Sequence, residues 1–284
     1  MNDLLAALLL GIIEGITEFL PISSTGHLLI AERWLGHRSD LFNIAIQAGA
    51  ILAVVAIYWK RLWGMLVAFA GRDAPAAYDP LGVTATPAQS RTYALKLGLS
   101  FAVTAVLGLL VKAMGWELPD TVRPIAWALV IGAIWMVVAE HFAAKRAARD
   151  GERTEISWTT AMLVGIAQVV AGVFPGTSRS AATIFVALLA GTTSRAAATE
   201  FAFVVGIPTM FAATAYELLS LIRHDGIGNE DWTALGVAFV ASAVTAFVAV
   251  KWLLRYIQSH RFTAFAVYRV VLGVALLLWL PAAA

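Results

Sequence analysis

Long apolar stretches separated by short polar segments are the main pattern along the chain. Several of these stretches approach the roughly 20 residues that an α-helix needs to cross the hydrocarbon of a membrane. They lie near residues 42–58, 95–112, 124–143, 198–222, 232–253 and 263–281. The pattern therefore predicts about six transmembrane helices.

Two further apolar regions, 4–35 and 156–191, are interrupted in the middle. The interruptions read Pro21-Ile-Ser-Ser-Thr-Gly-His27 and Pro175-Gly-Thr-Ser-Arg-Ser180. Each half is too short to cross the membrane, and irregular backbone at that depth is tolerated only where protein or a watered cavity satisfies it. We therefore expect two re-entrant helical hairpins whose tips lie within the membrane.

The two halves of the chain repeat one order of elements, a broken hairpin followed by three apolar spans. An offset of 154 residues aligns the halves and pairs Gly11 with Gly165, Pro21 with Pro175 and Ser24 with Ser178. Because each unit crosses the membrane an odd number of times, the second unit must be upside down.

The predicted fold is therefore an all-α polytopic membrane protein with an inverted-topology repeat. We expect a single integral membrane domain over 1–284, with residues 1–150 as the first repeat and 151–284 as the second. The hairpin tips from opposite faces should meet near the middle of the membrane.

Composition agrees with a membrane protein, since 60% of the 284 residues are apolar and 13% are charged, with a mean hydropathy of +0.80. Soluble domains have about 25% charged residues. The net charge is only +2 and its cations flank apolar spans, so we expect membrane lipids and no nucleic acid as partners. The absence of cysteine excludes disulfides, thiolate nucleophiles and cysteine-ligated metals.

Lysine and arginine residues are distributed unequally between the two sides of this topology. One side, formed by 59–96, 144–155, 192–197 and 251–262, carries 13 of them, against five on the other. The richer side should be cytoplasmic, which places both termini outside.

Glu14 and Glu18 lie four residues apart in an apolar segment, so a helix would bring them to one face. A carboxylate in the bilayer centre costs about 3 kcal/mol, and such residues usually line a functional cavity. The pair suits a divalent cation or a general base, whereas a helix at the membrane surface would leave both carboxylates solvated.

Hydroxyl groups follow both prolines, and Ser23 or Ser24 is expected to cap the second helix of the first hairpin. In the second hairpin, a helix start, two serines and Arg179 come together, as an anion such as phosphate requires. Ordinary helix capping is the alternative.

Other polar side chains lie in apolar surroundings. Arg269, in the last span, should line the cavity or form an ion pair. Gln47, Gln168 and Glu200 are expected to supply supporting hydrogen bonds or to join helices.

The blocks Glu14-Gly-Ile-Thr-Glu18-Phe-Leu-Pro-Ile-Ser-Ser-Thr-Gly-His27 and Pro175-Gly-Thr-Ser-Arg-Ser-Ala-Ala-Thr183 resemble the signatures of bacterial undecaprenyl-diphosphate phosphatases. Gln47-Ala-Gly-Ala-Ile-Leu-Ala, Glu200-Phe and Phe265-Ala-Val-Tyr-Arg269 extend the resemblance over nearly the whole chain. It implies hydrolysis of undecaprenyl diphosphate at the outer face of the bacterial cytoplasmic membrane, and raised bacitracin tolerance on overexpression.

The resemblance also implies the residues of the site. The expected catalytic residues are Glu14, Glu18, Ser24, His27 and Arg179. The expected substrate-binding residues are Ser23, Thr25, Gly176, Thr177, Ser178, Ser180, Thr183 and Arg269. Glu14 and Glu18 are also the candidate ligands of a divalent cation, Mg²⁺ or Ca²⁺; no organic cofactor is expected, and a homo-oligomer is left open.

Two mechanisms and two rival functions stay open at this point. Ser24 could attack the terminal phosphorus with Glu18 or His27 as base, or His27 could attack or activate water beside a cation held by the carboxylates. A transporter or flippase of a phosphorylated polyisoprenyl lipid would use the same architecture. A type-two phosphatidic acid phosphatase is disfavoured because its lysine-rich first block is absent.

Overall fold

A computed structural model describes residues 3–70, 86–115, 122–224 and 230–279 of the chain. Regular structure in these ranges is entirely helical, with ten helices and no strand. The helices are α1 (Asp3–Thr17), α2 (Ser24–Leu35), α3 (Asp40–Phe69), α4 (Pro87–Ala113), α5 (Val122–Asp150), α6 (Trp158–Val173), α7 (Arg179–Leu189), α8 (Arg195–His224), α9 (Trp232–Ser259) and α10 (Thr263–Trp279). The predicted all-α class is confirmed.

Within the described ranges, five helices are long and apolar enough to cross a membrane, namely α3, α4, α5, α8 and α9. The chain is thus a multi-pass membrane protein. The helices are longer than the apolar pattern predicts, since α3 continues through Lys60 and Arg61 to Phe69. The two charged residues interrupt the apolar run, so the hydropathy pattern ends the span there although the helix continues. Residues 71–85 of the predicted basic segment 59–96 lie outside the described residues.

The last predicted span, 263–281, corresponds to α10, whose 17 residues are mostly apolar. At 1.5 Å per residue it is about 25 Å long, somewhat less than the roughly 30 Å of the hydrocarbon. Residues 280 and 281 lie outside the described part of the chain, so a sixth crossing stays a prediction.

Two pairs of short helices, α1–α2 and α6–α7, form the hairpins that the interrupted regions predict. The outer ends of the first pair meet, because a guanidinium nitrogen of Arg38 lies 2.7 Å from a carboxylate oxygen of Asp3. At the second pair, the backbone N–H of Thr193 donates to the carbonyl oxygen of Arg153 over 2.9 Å. In each pair, the start of the first helix and the end of the second therefore lie close together.

Glycines let the first helix of each hairpin pack closely on a long helix. A Cβ atom at Gly11 would collide with the backbone of Ala238 on α9. A Cβ atom at Gly165 would lie 2.6 Å from the carbonyl oxygen of Ser100 on α4. These are the two glycines that the predicted repeat pairs, and small residues at such contacts are typical of helix packing in membranes.

The hairpin tips meet in the interior of the helix bundle. The hydroxyl of Ser180 at the start of α7 donates to the carbonyl oxygen of Leu20 in the first hairpin over 3.0 Å. Around this contact α7 is packed against α5, α6 and α8, and its Ile184, Phe185 and Leu188 are fully buried. The fold therefore places both polar interruptions side by side.

Candidate functional site

The tip of each hairpin has the same local structure, a serine that caps the second helix from a strained backbone. Ser23 has φ 74° and accepts a hydrogen bond from the N–H of Gly26, at 3.4 Å. Ser178 has φ 68° and accepts from the N–H of Ala181, at 3.3 Å. Positive φ in residues other than glycine costs about 1–3 kcal/mol and is concentrated at functional sites.

The first turns of α2 and α7 retain backbone donors after this capping. The helix start leaves four N–H groups without an intrahelical acceptor, and each serine cap satisfies only part of them. The remaining donors and the positive end of each helix dipole suit a negatively charged ligand. The expected capping by Ser23 is confirmed.

The caps shift the pairing of the two predicted repeats by one residue. Prolines pair at an offset of 154, but the capping residues Ser23 and Ser178 pair at 155, because Pro175 precedes its cap by three residues and Pro21 by two. The structural partner of Ser24 is therefore Arg179, since these are the first residues of α2 and α7.

Ser24 and Arg179 bind the same carboxylate. The hydroxyl of Ser24 donates a short hydrogen bond to Oε2 of Glu18. A terminal nitrogen of Arg179 lies 2.6 Å from Oε1 of Glu18, as a charge-assisted ion pair. Glu18 is buried, whereas 28% of the Arg179 side chain is exposed. A hydroxyl, a carboxylate and a guanidinium from two hairpins thus form one connected group.

This group borders two cavities that share part of their walls. The inner cavity, of about 270 Å³, is lined among others by Glu18, Ser23, Ser24, Thr25, Gly176, Ser178 and Arg179. The outer cavity, of about 540 Å³, is lined among others by Glu14, Ser24, Thr25, Glu32, Asp40, Lys112 and Glu217. Ser24 and Thr25 belong to both, so Ser24 lies where the cavities join.

Glu14 lies at the outer cavity and is only 2% exposed. Its Oε2 atom is buried and has no hydrogen-bond partner among the described residues. An unpaired buried carboxylate oxygen is costly unless a ligand satisfies it.

His27 and Thr183 are not brought to this group. The ring of His27 faces Tyr268, and its Nε2 atom lies 2.6 Å from the tyrosine hydroxyl. His27 and Tyr268 are not among the residues that line the two cavities. The hydroxyl of Thr183 donates to the carbonyl oxygen of Arg179 over 2.8 Å and is 1% exposed. Their catalytic and binding roles stay predictions, and the geometry favours indirect ones.

Arg269 is fully buried and holds the two tips together. Its guanidinium donates to carbonyl oxygens of three segments, at 3.0–3.2 Å. The acceptors are Pro21 in the first tip, Gly176 and Thr177 in the second, and Ala128 and Leu129 on α5. Because these bonds engage all five of its N–H donors, the geometry favours positioning of the tips over contact with a substrate.

The remaining predicted residues divide between the cavities and the helix contacts. Gln47 lines both cavities, and Gln168 lines the inner one while donating to the hydroxyl of Thr104 over 3.0 Å. Glu200 instead lies 3.3 Å from the buried Arg61. Thr177 contributes its carbonyl group to Arg269, and Ser180 its hydroxyl to Leu20.

Sequence reasoning missed Glu217, Lys112 and Tyr268. Glu217 lines both cavities, and Lys112 lines the outer one while donating to the hydroxyl of Tyr216. A carboxylate inside the apolar span 198–222 was the available signal for Glu217. Tyr268 lies in the block Phe265-Ala-Val-Tyr-Arg269, but it was given no role there, because a tyrosine in a membrane helix is usually an interfacial residue.

A divalent cation would find a partial site here. The described residues contain no group of three His, Cys, Asp or Glu side chains that could hold a metal ion. Glu18 already accepts hydrogen bonds at both oxygens, whereas Glu14 has a free one. Mg²⁺ commonly binds through one or two carboxylates together with substrate phosphates, so Glu14 fits this arrangement better than Glu18.

Known proteins resemble this chain over its full length. Residues 7–275 match the family described as bacitracin resistance protein BacA. The undecaprenyl-diphosphatase of Xanthomonas euvesicatoria pv. vesicatoria is 59% identical over 284 residues, which cover 100% of both chains. That of Rhizobium johnstonii is 62% identical over 275 residues, 97% of this chain and 96% of its own. The chain therefore belongs to the BacA family of bacitracin resistance proteins.

Proposed function

We propose that this protein is an undecaprenyl-diphosphate phosphatase, which releases the terminal phosphate and returns the carrier lipid as its monophosphate. The observation that carries the proposal is the contact of one carboxylate, Glu18, with the hydroxyl of Ser24 and the guanidinium of Arg179 at the junction of two cavities. Relatives at about 60% identity carry the corresponding name.

The diphosphate binds between the two hairpin tips. Arg179 is partly exposed toward the inner cavity and can contact a phosphate oxygen while it stays near Glu18. The first-turn N–H groups of α2 and α7 supply further donors, and positive helix ends face the same space. Fixed donors of this kind stabilise the charge that spreads over the transferred phosphoryl group.

Ser24 is the nucleophile in the first step. Its hydroxyl proton passes to Glu18 along their hydrogen bond, and Oγ forms a bond to the terminal phosphorus. The bond between that phosphorus and the bridging oxygen breaks, and the undecaprenyl monophosphate leaves with the electron pair. Glu18 then gives its proton to the leaving phosphate and is again a carboxylate.

Water completes the reaction. Glu18 takes a proton from a water molecule, whose oxygen attacks the phosphoserine phosphorus as the bond to Oγ breaks. The proton returns from Glu18 to Oγ of Ser24, which releases inorganic phosphate and restores the starting state. In each step, the carboxylate of Glu18 thus first accepts a proton and then donates it.

A divalent cation, where present, would be held by Glu14 together with phosphate oxygens of the substrate. Its chemistry would be to neutralise phosphate charge. The unpaired oxygen of Glu14 supports this role, and the absence of a ready group of three ligands among the described residues agrees with a cation that arrives with the substrate.

The inverted-topology repeat is part of this proposal. The matched caps at Ser23 and Ser178, and the matched glycine contacts of α1 on α9 and α6 on α4, support two units, 1–150 and 151–284, within one membrane domain. Two re-entrant hairpins and six crossings, the sixth by α10, place the tips inside the bacterial cytoplasmic membrane. The positive-inside count favours access to the outer cavity from the outer face.

Trapping of the intermediate tests the mechanism. Protein purified in detergent is mixed with undecaprenyl diphosphate labelled with ³²P at the terminal phosphate, quenched in acid within one turnover, and digested for peptide mass spectrometry. We expect the label on Ser24, and no label in Ser24→Ala. The His27→Ala variant should still form the labelled peptide.

Label on His27 would overturn the assignment of Ser24. Phosphate release without any labelled protein in rapid-quench experiments would favour direct attack by water. A folded wild-type protein that releases no phosphate in detergent would favour the transporter, because transport needs a sealed membrane and hydrolysis does not.

A further inference from the structure

Tyr268 on α10 contacts His27 on α2. The tyrosine hydroxyl lies 2.6 Å from Nε2 of His27, and the two rings are stacked with centroids 5.6 Å apart and planes inclined by 8°. The second ring nitrogen of His27, Nδ1, lies 2.6 Å from the carbonyl oxygen of Ser23. Both nitrogens of the imidazole are therefore engaged, one by each neighbour.

The chemistry of these partners fixes the state of the imidazole. A carbonyl oxygen can only accept, so Nδ1 carries hydrogen and donates to Ser23. In a neutral ring Nε2 is then an acceptor, and the hydroxyl of Tyr268 must be its donor. Tyr268 thus selects the tautomer of His27 and fixes the plane of its ring.

The carbonyl group of Ser23 belongs to the peptide bond that leads into Ser24. Ser23 has a strained φ of 74°, so this peptide needs restraint from its surroundings. Peptide bonds are planar and trans, with C=O and N–H on opposite sides. A bond from His27 to the carbonyl oxygen therefore also fixes the direction of the Ser24 N–H and the origin of its side chain.

We propose that Tyr268 is a positioning residue, which acts through His27 on the Ser23–Ser24 peptide and keeps the Ser24 hydroxyl on Glu18. The inference rests on the proposed function, in which Ser24 is the nucleophile. It gives His27 an orienting role and explains why the imidazole lies away from both cavities.

Tyr268→Phe tests the inference with little risk to folding, because it keeps the ring and its stacking and removes one hydroxyl. We expect kcat to fall by about 3- to 10-fold, as for the loss of one neutral hydrogen bond, with KM unchanged within about twofold. Acylation of His27 by diethylpyrocarbonate, followed by mass spectrometry of the peptide, should become several times faster, because Nε2 loses its partner.

Tyr256→Phe is the matched control. Tyr256 is also stacked on a histidine, His260, with centroids 4.7 Å apart, but at the far end of α9. We expect this variant to change neither kcat nor the acylation of His27.

Unchanged kcat in Tyr268→Phe would overturn the inference, whether or not acylation of His27 becomes faster. A rise in KM as large as the fall in kcat would overturn it too, because Tyr268 would then contact the substrate. Failure of the proposed function would be seen in a different experiment, because the Ser24→Ala variant would then release phosphate at the wild-type rate.

Discussion

The hairpins α1–α2 and α6–α7 share a backbone design but carry different side chains. In both, a serine with positive φ caps the second helix, and the first residue of that helix contacts Glu18. In the first hairpin this residue is Ser24, the proposed nucleophile, and in the second it is Arg179, a cation. The two proposed repeats thus share a helix start that suits an anion, and they carry different side chains at the equivalent position.

Burial differs between the hairpins as much as chemistry does. Eight of the 11 residues of α7 are buried, against two of the 12 residues of α2. A helix that is mostly buried is a rigid support, whereas one that is only partly buried leaves room for a substrate. In the proposed mechanism, the second hairpin thus holds Arg179 in place for binding phosphate, and the first carries the reacting groups beside the cavities.

Ser24→Ala removes the group that distinguishes the first hairpin and should have the largest effect. We expect phosphate release to fall on the order of 10⁴-fold or more, because the nucleophile is lost while the binding groups remain. Initial rates with equal amounts of folded protein, judged by gel filtration and circular dichroism, provide the measurement.

Ser180→Ala is the control for that variant. Ser180 is a buried serine of the second hairpin, and its hydroxyl donates to Leu20. It should lose less than about tenfold in rate, because its neutral hydrogen bonds with Leu20 and Ser178 support the tip without taking part in the reaction. Similar losses in both variants would mean that Ser24 has a structural role and that another group attacks.

Arg179→Lys tests whether Arg179 of the second hairpin contributes more than a positive charge. Lysine keeps the charge but loses the planar fork that can hold Glu18 and a phosphate oxygen together. We expect a rate about 10- to 100-fold lower, from the loss of one charge-assisted hydrogen bond.

Arg195→Lys gives a matched comparison. Arg195 pairs with the buried Glu140 at 2.7 Å and is 28% exposed, like Arg179, but it begins α8 and lies outside the two cavities. We expect its rate to stay within about threefold of wild type. Equal losses in the two variants would contradict a special role of Arg179.

Several of these features could be predicted from sequence because they depend on local chemistry. Prolines after an apolar run end a helix, and the hydroxyl that follows caps the next one. The ends of the helices and the capping by Ser23 could therefore be predicted. The grouping of Glu18, Ser24 and Arg179 needed one further premise, the symmetry that brings two tips together.

Other features depend on packing, which the sequence pattern does not specify. The spacing of Ser24 and His27 places them near one face of a helix, but the imidazole bends back to the carbonyl of Ser23 and meets α10. The role of Arg269 depends on five carbonyl groups from three segments, and no residue pattern encodes carbonyl directions. The shift of the repeat by one residue appears only once the caps are seen.

Glu14→Gln tests the cation that the first hairpin is proposed to hold. The variant keeps the size of the side chain and removes its charge, so we expect the Mg²⁺ concentration for half-maximal rate to rise about tenfold. Glu217→Gln, at another carboxylate of the same cavities, is the control and should leave this concentration unchanged. An unchanged Mg²⁺ dependence with a lower kcat in Glu14→Gln would move Glu14 from cation binding to the proton transfers.

Gln168→Leu should have the smallest effect, although Gln168 is the partner of Glu14 at the offset of 154 residues. Its amide donates to Thr104 over 3.0 Å, but its carbonyl oxygen is buried without a partner among the described residues. Leucine removes both the bond and the unpaired oxygen, so the two contributions to stability oppose each other. We expect a free energy of unfolding within about 1 kcal/mol of wild type and a rate within about twofold. Urea titration in mixed micelles and initial rates test this, and a loss as large as that in Glu14→Gln would show that the second hairpin contributes more to the reaction than its arginine and its helix start.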